Sequence, residues 1–454
     1  LSVHHQPREG ASALSASLHS RHVSMIAIGG IIGAGLFVGS STSIARVGPA
    51  VVVSYALAGL VVIMVMRMLS EMASQHPAAG SFTELVRIGL GERAGFVAGW
   101  LYWYFWVVVV AIEAIAAGGI INGWTGLPVW LVGTVFVAAM TGVNLLSARS
   151  YGEFEFWLSF IKVTAIIAFI AVTGLFAVGV TSPSGPTFGN LVSHGGFAPF
   201  GWGAALAGVT SVIFALCGAE IATVAAAEAK EPARVIAKIT GSVALRIVLF
   251  YVLSIGLIVS VMPWSDVVPG HSPFAAAMNA MKIPHAADVM NAVVLVAVTS
   301  ALNSGMYVTS RVLYVLADKG DAPRALVPLS RRAVPLRSTL VASGFAYVAL
   351  ACSVLSPEVV FSFLVNASGA IMIFVYMSVC IAQLAMRKRE TAPAPIRMWL
   401  HPWGSLISFA AMGAVLVAMA FSPGARIELV SSLAVLALAY ACSFIGRNRS
   451  GFPG

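Results

Sequence analysis

Apolar residues come in blocks of about twenty along nearly the whole of this chain, and that pattern constrains the fold more than any other feature. A helix of about 20 apolar residues crosses roughly 30 Å of hydrocarbon. Twelve such blocks can be drawn: 24–45, 50–70, 95–121, 128–147, 156–180, 203–227, 240–262, 287–316, 338–356, 360–385, 403–421 and 428–446. Of the 454 residues 59% are hydrophobic and 9% charged, whereas a water-soluble domain carries about 25% charged residues. So few charges cannot cover the outside of a soluble body this apolar. The spacing predicts an all-α integral membrane protein of twelve helices.

The net charge of +9 would by itself suggest a polyanion as partner. Its distribution gives another reading. If the blocks span and the N-terminus is cytoplasmic, the outer side holds Arg46, Lys282 and Arg426, and Lys162 lies within a span. The other 22 of the 26 basic residues fall in the inner gaps, at the helix ends beside them, or in the tails. This is the positive-inside asymmetry. It predicts an even number of spans, both termini in the cytoplasm, and no role for nucleic acid. Residues 1–22 and 447–454 read as cytoplasmic tails, and 23–446 as one transporter-like unit. The first tail is polar, without the apolar core of a signal peptide, and since it opens at Leu1 the chain is expected to begin part-way into it. Cys217, Cys352, Cys380 and Cys442 all sit in or beside apolar blocks and read as small hydrophobes rather than disulfides or metal ligands.

Two blocks carry breaks. The first reads MIAIGGIIGAGLFVGS, with Gly29, Gly30, Gly33, Gly35 and Gly39; the sixth reads VIFALCGAEIATVAAAE, with Gly218 beside Glu220. Each Gly weakens a helix by about 1 kcal/mol relative to Ala, so the first block can unwind. Unwinding frees backbone N–H groups that suit a carboxylate. Close helix packing through small residues is the competing explanation for one such run. Blocks one and six hold equivalent places if the chain is two inverted five-helix repeats, about 24–180 and 203–385, followed by two further helices at 403–446. In such transporters the substrate lies where the paired helices are interrupted.

Glu113, Lys162 and Glu220 are charged residues inside apolar blocks. Each costs at least about 2.5 kcal/mol at the membrane centre, which makes it a functional candidate. Glu113 could pair a substrate amine or close a gate, and Glu220 could exchange a proton or face the amine; either could instead be a structural helix contact. Lys162 either snorkels to the interface or holds a fixed charge inside, where loss and gain of its proton would couple transport to a proton gradient. The aromatic run WLYWYFW at 100–106 reads as an interfacial belt and packing surface. Asn303, Ser304 and Ser368 are secondary candidates for the cavity wall. No metal-ligand cluster, phosphate-binding Gly-Lys-Ser/Thr loop or nucleophile–base pair is present in the sequence, which disfavours ATP-driven transport by this chain and an intramembrane enzyme.

SMIAIGGIIGAGLFVGS, MVMRMLSEMA, EFEFWLSFIKV, GAEIATVAAAEAKEP and TSRVLYVLADKGDAP together resemble the bacterial amino acid permeases of the amino acid–polyamine–organocation superfamily. WLYWYFWVVVVAIEAIAAG, GLPVW, TGVNLLSARSYGEFEFWL, LNSGMYVTSR and RMWLHPW look most like the 4-aminobutyrate (GABA) permease branch. The resemblance implies a leucine-transporter-type fold with helices 1 and 6 discontinuous, and proton-coupled uptake across the bacterial inner membrane. It places Gly33 and Gly35 in the carboxylate-binding break, with Gly30, Ile32 and Ala34 beside them as substrate-binding candidates, and Phe214, Gly218 and Ala219 in the block-six substrate segment. Lys162 falls at the lysine that replaces a sodium site in proton-coupled relatives, and Glu220 at the block-six glutamate. With Glu113, these are the expected site residues. The implied partners are a small amino acid and membrane lipid, with a proton as coupling ion and no other cofactor, no metal and no obligatory protein partner. Ala301 stands where a cysteine can occur in close relatives, a departure expected to leave the core assignment untouched. From the residues alone, proline, β-alanine, aromatic or basic amino acids remain alternative substrates, and exchange an alternative to symport.

Overall fold

The structure is a computed structural model that describes residues 32–76, 79, 81–146, 148–218, 220, 245–330, 334–390 and 394–445. The described residues form helices joined by short connections, with no strand among them. Every one of the twelve apolar blocks coincides with a helix in whole or in part. Seven described helical runs are long and apolar enough to cross a membrane; the first, Ala34–Gln75, takes in two of the blocks. Four more apolar helices are shorter: Val129–Asn144, Gly201–Leu216, Ile247–Val261 and Leu336–Cys352.

The centre of the molecule is the helix Glu92–Thr125, which lies along Ala286–Asp318 and also packs on Val129–Asn144 and Pro357–Lys388. Its 34 residues give a rod of about 50 Å. Its middle, 105–118, is buried all round. A helix apolar on every face is one surrounded by other helices or lipid. The helices Glu153–Ala177, Trp403–Phe421 and Arg426–Phe444 are the outer ones, with about a third or less of their apolar windows buried in protein.

Close approach at small residues fixes two of these contacts. Gly369 in Pro357–Lys388 sits so near Val209–Leu216 that a Cβ would run into the Thr210 carbonyl. Gly89 likewise faces the Ala382 backbone, with a Cβ 2.9 Å from its Cα. Backbone cannot rotate aside as a side chain can. Gly369→Ala is therefore expected to cost about 1–3 kcal/mol, the usual range for overpacking, read as a lowered melting temperature of the purified protein. An unchanged melting temperature would mean that the two helices separate freely.

Two short helices lie in connections that the apolar pattern treats as loops. Phe82–Leu90 starts at an N-cap: Ser81 Oγ accepts from the Glu84 N–H. It ends at Gly91, with φ 94°. Pro273–Ala280 starts at Ser272, whose hydroxyl accepts from the Ala275 N–H, with Pro273 at the first helical position. The two occupy matching places, between blocks two and three and between blocks seven and eight. Pro273–Ala280 buries Phe274 against Phe37 and Phe169, with ring centroids 4.9 and 4.7 Å apart, and so closes over the first broken helix.

Charged side chains gather at the helix ends. Arg87 pairs with Glu84, Glu92 and Asp321, and Lys319 with Glu84. Buried Glu71 accepts from Arg387 at 3.0 Å and from Gln383 at 3.1 Å, and also takes the Met398 N–H. Arg67 reaches the Arg397 carbonyl at 2.8 Å. Each of these contacts joins residues that the charge pattern assigns to one end of the bundle; Arg46 and Glu428, 3.0 Å apart, join at the other. Arg311, counted among the basic residues of the inner side, is drawn into the bundle. It is 4% exposed within Ala286–Asp318, stacked on the Tyr307 ring at 3.4 Å.

Candidate functional site

The first break lies at Gly33, an extended residue (φ −142°, ψ −157°) from which the turn Ala34–Phe37 starts. A second irregularity at Val38 separates it from Gly39–Val47. The Leu36 and Phe37 N–H groups bond back to the Gly33 carbonyl at 3.1 and 3.2 Å. The Ala34 N–H points instead at the carboxylate of Glu113, 3.0 Å from each oxygen.

The second break lies at Cys217–Gly218. Val209–Leu216 stops at Cys217, which is extended, and Gly218 takes φ 119°, a conformation that a residue with a Cβ rarely adopts. The Gly218 N–H donates to both oxygens of Glu220, at 3.2 and 3.1 Å, and Tyr376 Oη donates to Glu220 Oε2 at 3.2 Å. Tyr251 Oη donates to the Ala215 carbonyl at 2.9 Å. At each point a backbone N–H meets a buried glutamate carboxylate: at the start of Ala34–Phe37 that of Glu113 from another helix, and past the end of Val209–Leu216 that of Glu220, two residues on.

A small cavity of about 20 Å³ lies between the breaks, lined by Gly33, Gly35, Phe105, Trp106, Val109, Glu113, Phe214, Ala215, Cys217 and Ala301. That is room for one water. The glycines set how close the walls come. A Cβ on Gly33 would stand 2.7 Å from both Ala301 Cβ and Glu113 Oε1; one on Gly35 would stand 2.6 Å from Ala215 Cα.

Lys162 does not snorkel. It is wholly buried, donating to Ser300 Oγ at 2.8 Å with Glu155 Oε1 at 3.5 Å. Glu155 Oε1 also accepts from Ser300 at 2.7 Å and from Ser159 at 3.0 Å.

Of the residues proposed from the sequence, Gly33, Gly35, Glu113 and Phe214 meet at the cavity, and Ala34 supplies the N–H beside it. Ile32 is buried next to the break, and Gly218 adjoins the lining residue Cys217. Gly30 and Ala219 lie outside the described residues. Asn303 faces another helix, its Oδ1 accepting from Asn144 Nδ2 at 2.9 Å. Ser368 turns back to the Val365 carbonyl at 3.0 Å, and Ser304 is buried; neither lines this cavity. Glu113 stands against the break where a carboxylate is expected, its two oxygens on the Ala34 N–H.

Two departures concern residues read as peripheral. The aromatic run at 100–106 turns Tyr102, Trp103, Phe105 and Trp106 inward, and the last two line the cavity, so an interfacial belt does not describe them. Trp106 Nε1 has no acceptor among the described residues. Ala301, set aside as a neutral departure, forms the wall opposite Gly33.

Comparison with known proteins adds what geometry cannot. The sequence profile of the amino acid permease family matches residues 22–446. The gamma-aminobutyric acid permease of Bacillus subtilis is 44% identical over 97% of this chain and 95% of its own length. That of Escherichia coli is 42% identical over 96% and 94%. An aromatic amino acid transport protein of Corynebacterium glutamicum is 35% identical over 96% of both chains. Among solved structures, a manganese transporter from Eremococcus coleocola superposes with a TM-score of 0.54 over 99% of this chain and 98% of its own, at 13% identity, a likeness of fold alone.

Proposed function

We propose, from the premise that the chain belongs to the amino acid permease family, that it is a membrane carrier which takes up GABA across the bacterial inner membrane by alternating access, with a proton as coupling ion. The observation that carries this reading is the Gly33–Ala34 break. It opens onto a buried cavity and presents a backbone N–H that already holds a carboxylate, that of Glu113, at 3.0 Å. A site that binds one carboxylate in this way is suited to another.

GABA separates its carboxylate from its ammonium by three methylenes and has no α-amino group. The apolar walls of Phe105, Val109 and Phe214 suit that methylene chain. The carbonyls left at the end of Val209–Leu216 suit the ammonium. The 44% and 42% identities to the two GABA permeases support GABA over an α-amino acid. The cavity is smaller than any amino acid, so in this reading the structure is a closed state of the cycle.

The architecture proposed is twelve spans in two inverted repeats of five, plus two. Its support is the pairing of breaks at Gly33 and Gly218 and the matching short helices Phe82–Leu90 and Pro273–Ala280. With both termini cytoplasmic, Pro273–Ala280 closes the outer side. Lys162 is the proposed coupling residue, because a buried cation held between Ser300 and Glu155 carries a charge that a transferable proton can cancel. Glu220 is proposed to serve the same coupling at the second break.

A competition panel tests the substrate. In proteoliposomes, unlabelled GABA should suppress labelled GABA uptake at lower concentration than proline, β-alanine, or aromatic or basic amino acids. An α-amino acid that competes better than GABA would move the substrate elsewhere in the family.

A further inference from the structure

The transport reading leaves Glu113 with no stated task, yet its carboxylate occupies the most specific position in the cavity. Glu113 reaches the first break from the opposite helix, Glu92–Thr125, and is 2% exposed. Both oxygens lie 3.0 Å from the Ala34 nitrogen, so the side chain straddles that N–H. It also fills the space beside Gly33, where a Cβ would come within 2.7 Å of Oε1. What remains of the cavity is room for one water. A substrate carboxylate drawn to the same N–H meets an occupied donor and an occupied volume.

We propose that Glu113 is a tethered competitor of the substrate: its carboxylate holds the place of the substrate carboxylate at Ala34 and leaves that place when an amino acid binds. The inference rests on the reading that the substrate carboxylate binds at the Gly33–Ala34 break. Glu113 is then a specificity-determining residue. Only a ligand whose carboxylate outcompetes Glu113 enters productively, and the apparent affinity is the intrinsic one reduced by the fraction of molecules in which Glu113 has moved aside. The contrary assignment, Glu113 as counter-ion of the substrate ammonium, predicts the opposite sign for its removal.

Equilibrium binding of two ligands to the purified full-length protein separates these cases. GABA is compared with 4-aminobutanamide, which keeps the length and the ammonium but replaces the carboxylate by a neutral amide. In Glu113→Ala, which empties the volume and frees the Ala34 N–H, GABA should bind about tenfold or more tightly than in the unsubstituted protein, and the amide, whose carbonyl can accept the same N–H, should tighten as well. Glu113→Gln keeps the volume and an acceptor, so it should tighten GABA less than Glu113→Ala does, and the melting temperature of each variant checks that it is folded. GABA binding unaltered in both variants overturns the competitor role while leaving the carboxylate at the break. Equal binding of the two ligands in every variant overturns the carboxylate reading itself. Weaker binding of both ligands in the variants makes Glu113 the ammonium counter-ion and overturns the proposal.

Discussion

Gly33→Val is expected to abolish GABA binding and uptake, with affinity reduced at least about a hundredfold, a loss of roughly 3 kcal/mol. The backbone at Gly33 is extended, a conformation any residue adopts, so the effect is one of space. The first added carbon already stands 2.7 Å from Ala301 Cβ and from Glu113 Oε1, and valine adds two more where the cavity has room for one water. Ala301 belongs to the packed Ala286–Asp318 helix and cannot retreat freely. Glu113 can, but only by giving up the Ala34 N–H. Gly33→Ala should fall between the two. The measurement is equilibrium binding alongside proteoliposome uptake, with the melting temperature as a check of folding. A folded Gly33→Val protein that binds GABA with ordinary affinity would remove the first break from the site.

Lys162→Ala is expected to have two separable effects. The first is on stability. Glu155 would be left wholly buried without its cation, and breaking a buried pair in this way costs about 3–5 kcal/mol. The second is on coupling: uptake should no longer respond to an imposed proton gradient, while exchange of substrate across the membrane persists. Lys162→Ala with Glu155→Gln separates them. The double variant removes both charges, so it should recover most of the melting temperature and still show no gradient dependence. Uptake by the double variant that follows the proton gradient as before would remove Lys162 from coupling.

The parts of this molecule legible in its sequence are those set by backbone chemistry and hydrocarbon thickness. The apolar blocks found their helices because span length is a local property. Gly33 and Gly218 stand where the described helices Ala34–Phe37 and Val209–Leu216 start and end, and the φ of 119° at Gly218 is one that glycine adopts readily. The charges Glu113, Lys162 and Glu220 stood out because apolar blocks rarely contain them. Their partners did not. That Glu113 meets Ala34 and that Lys162 meets Ser300 and Glu155 depend on how separate helices rotate against one another.

The same reason hid the cavity wall. Phe105, Val109, Ala215 and Ala301 are apolar residues in apolar helices, and nothing local distinguishes the face that lines a cavity from the face that meets lipid. Trp106 was hidden by its neighbours, since six aromatics among seven residues suggest an interface before they suggest a site. Asn303 was conspicuous as a polar residue in a span, yet its partner is Asn144 on another helix. Phe82–Leu90 was a different kind of miss. Ser81, Glu84 and Gly91 spell out its start and stop, but a helix of nine residues is overlooked when the search is for spans of twenty.

The central claim is that this member of the amino acid permease family concentrates GABA by taking up protons with it. The most direct test is accumulation of labelled GABA by proteoliposomes that contain the purified protein, no internal amino acid and an imposed inward proton gradient. The account predicts that internal GABA rises above the external concentration and falls back when a protonophore collapses the gradient. Internal GABA that stops at the external concentration, or that rises only when the vesicles are preloaded with amino acid, would contradict it.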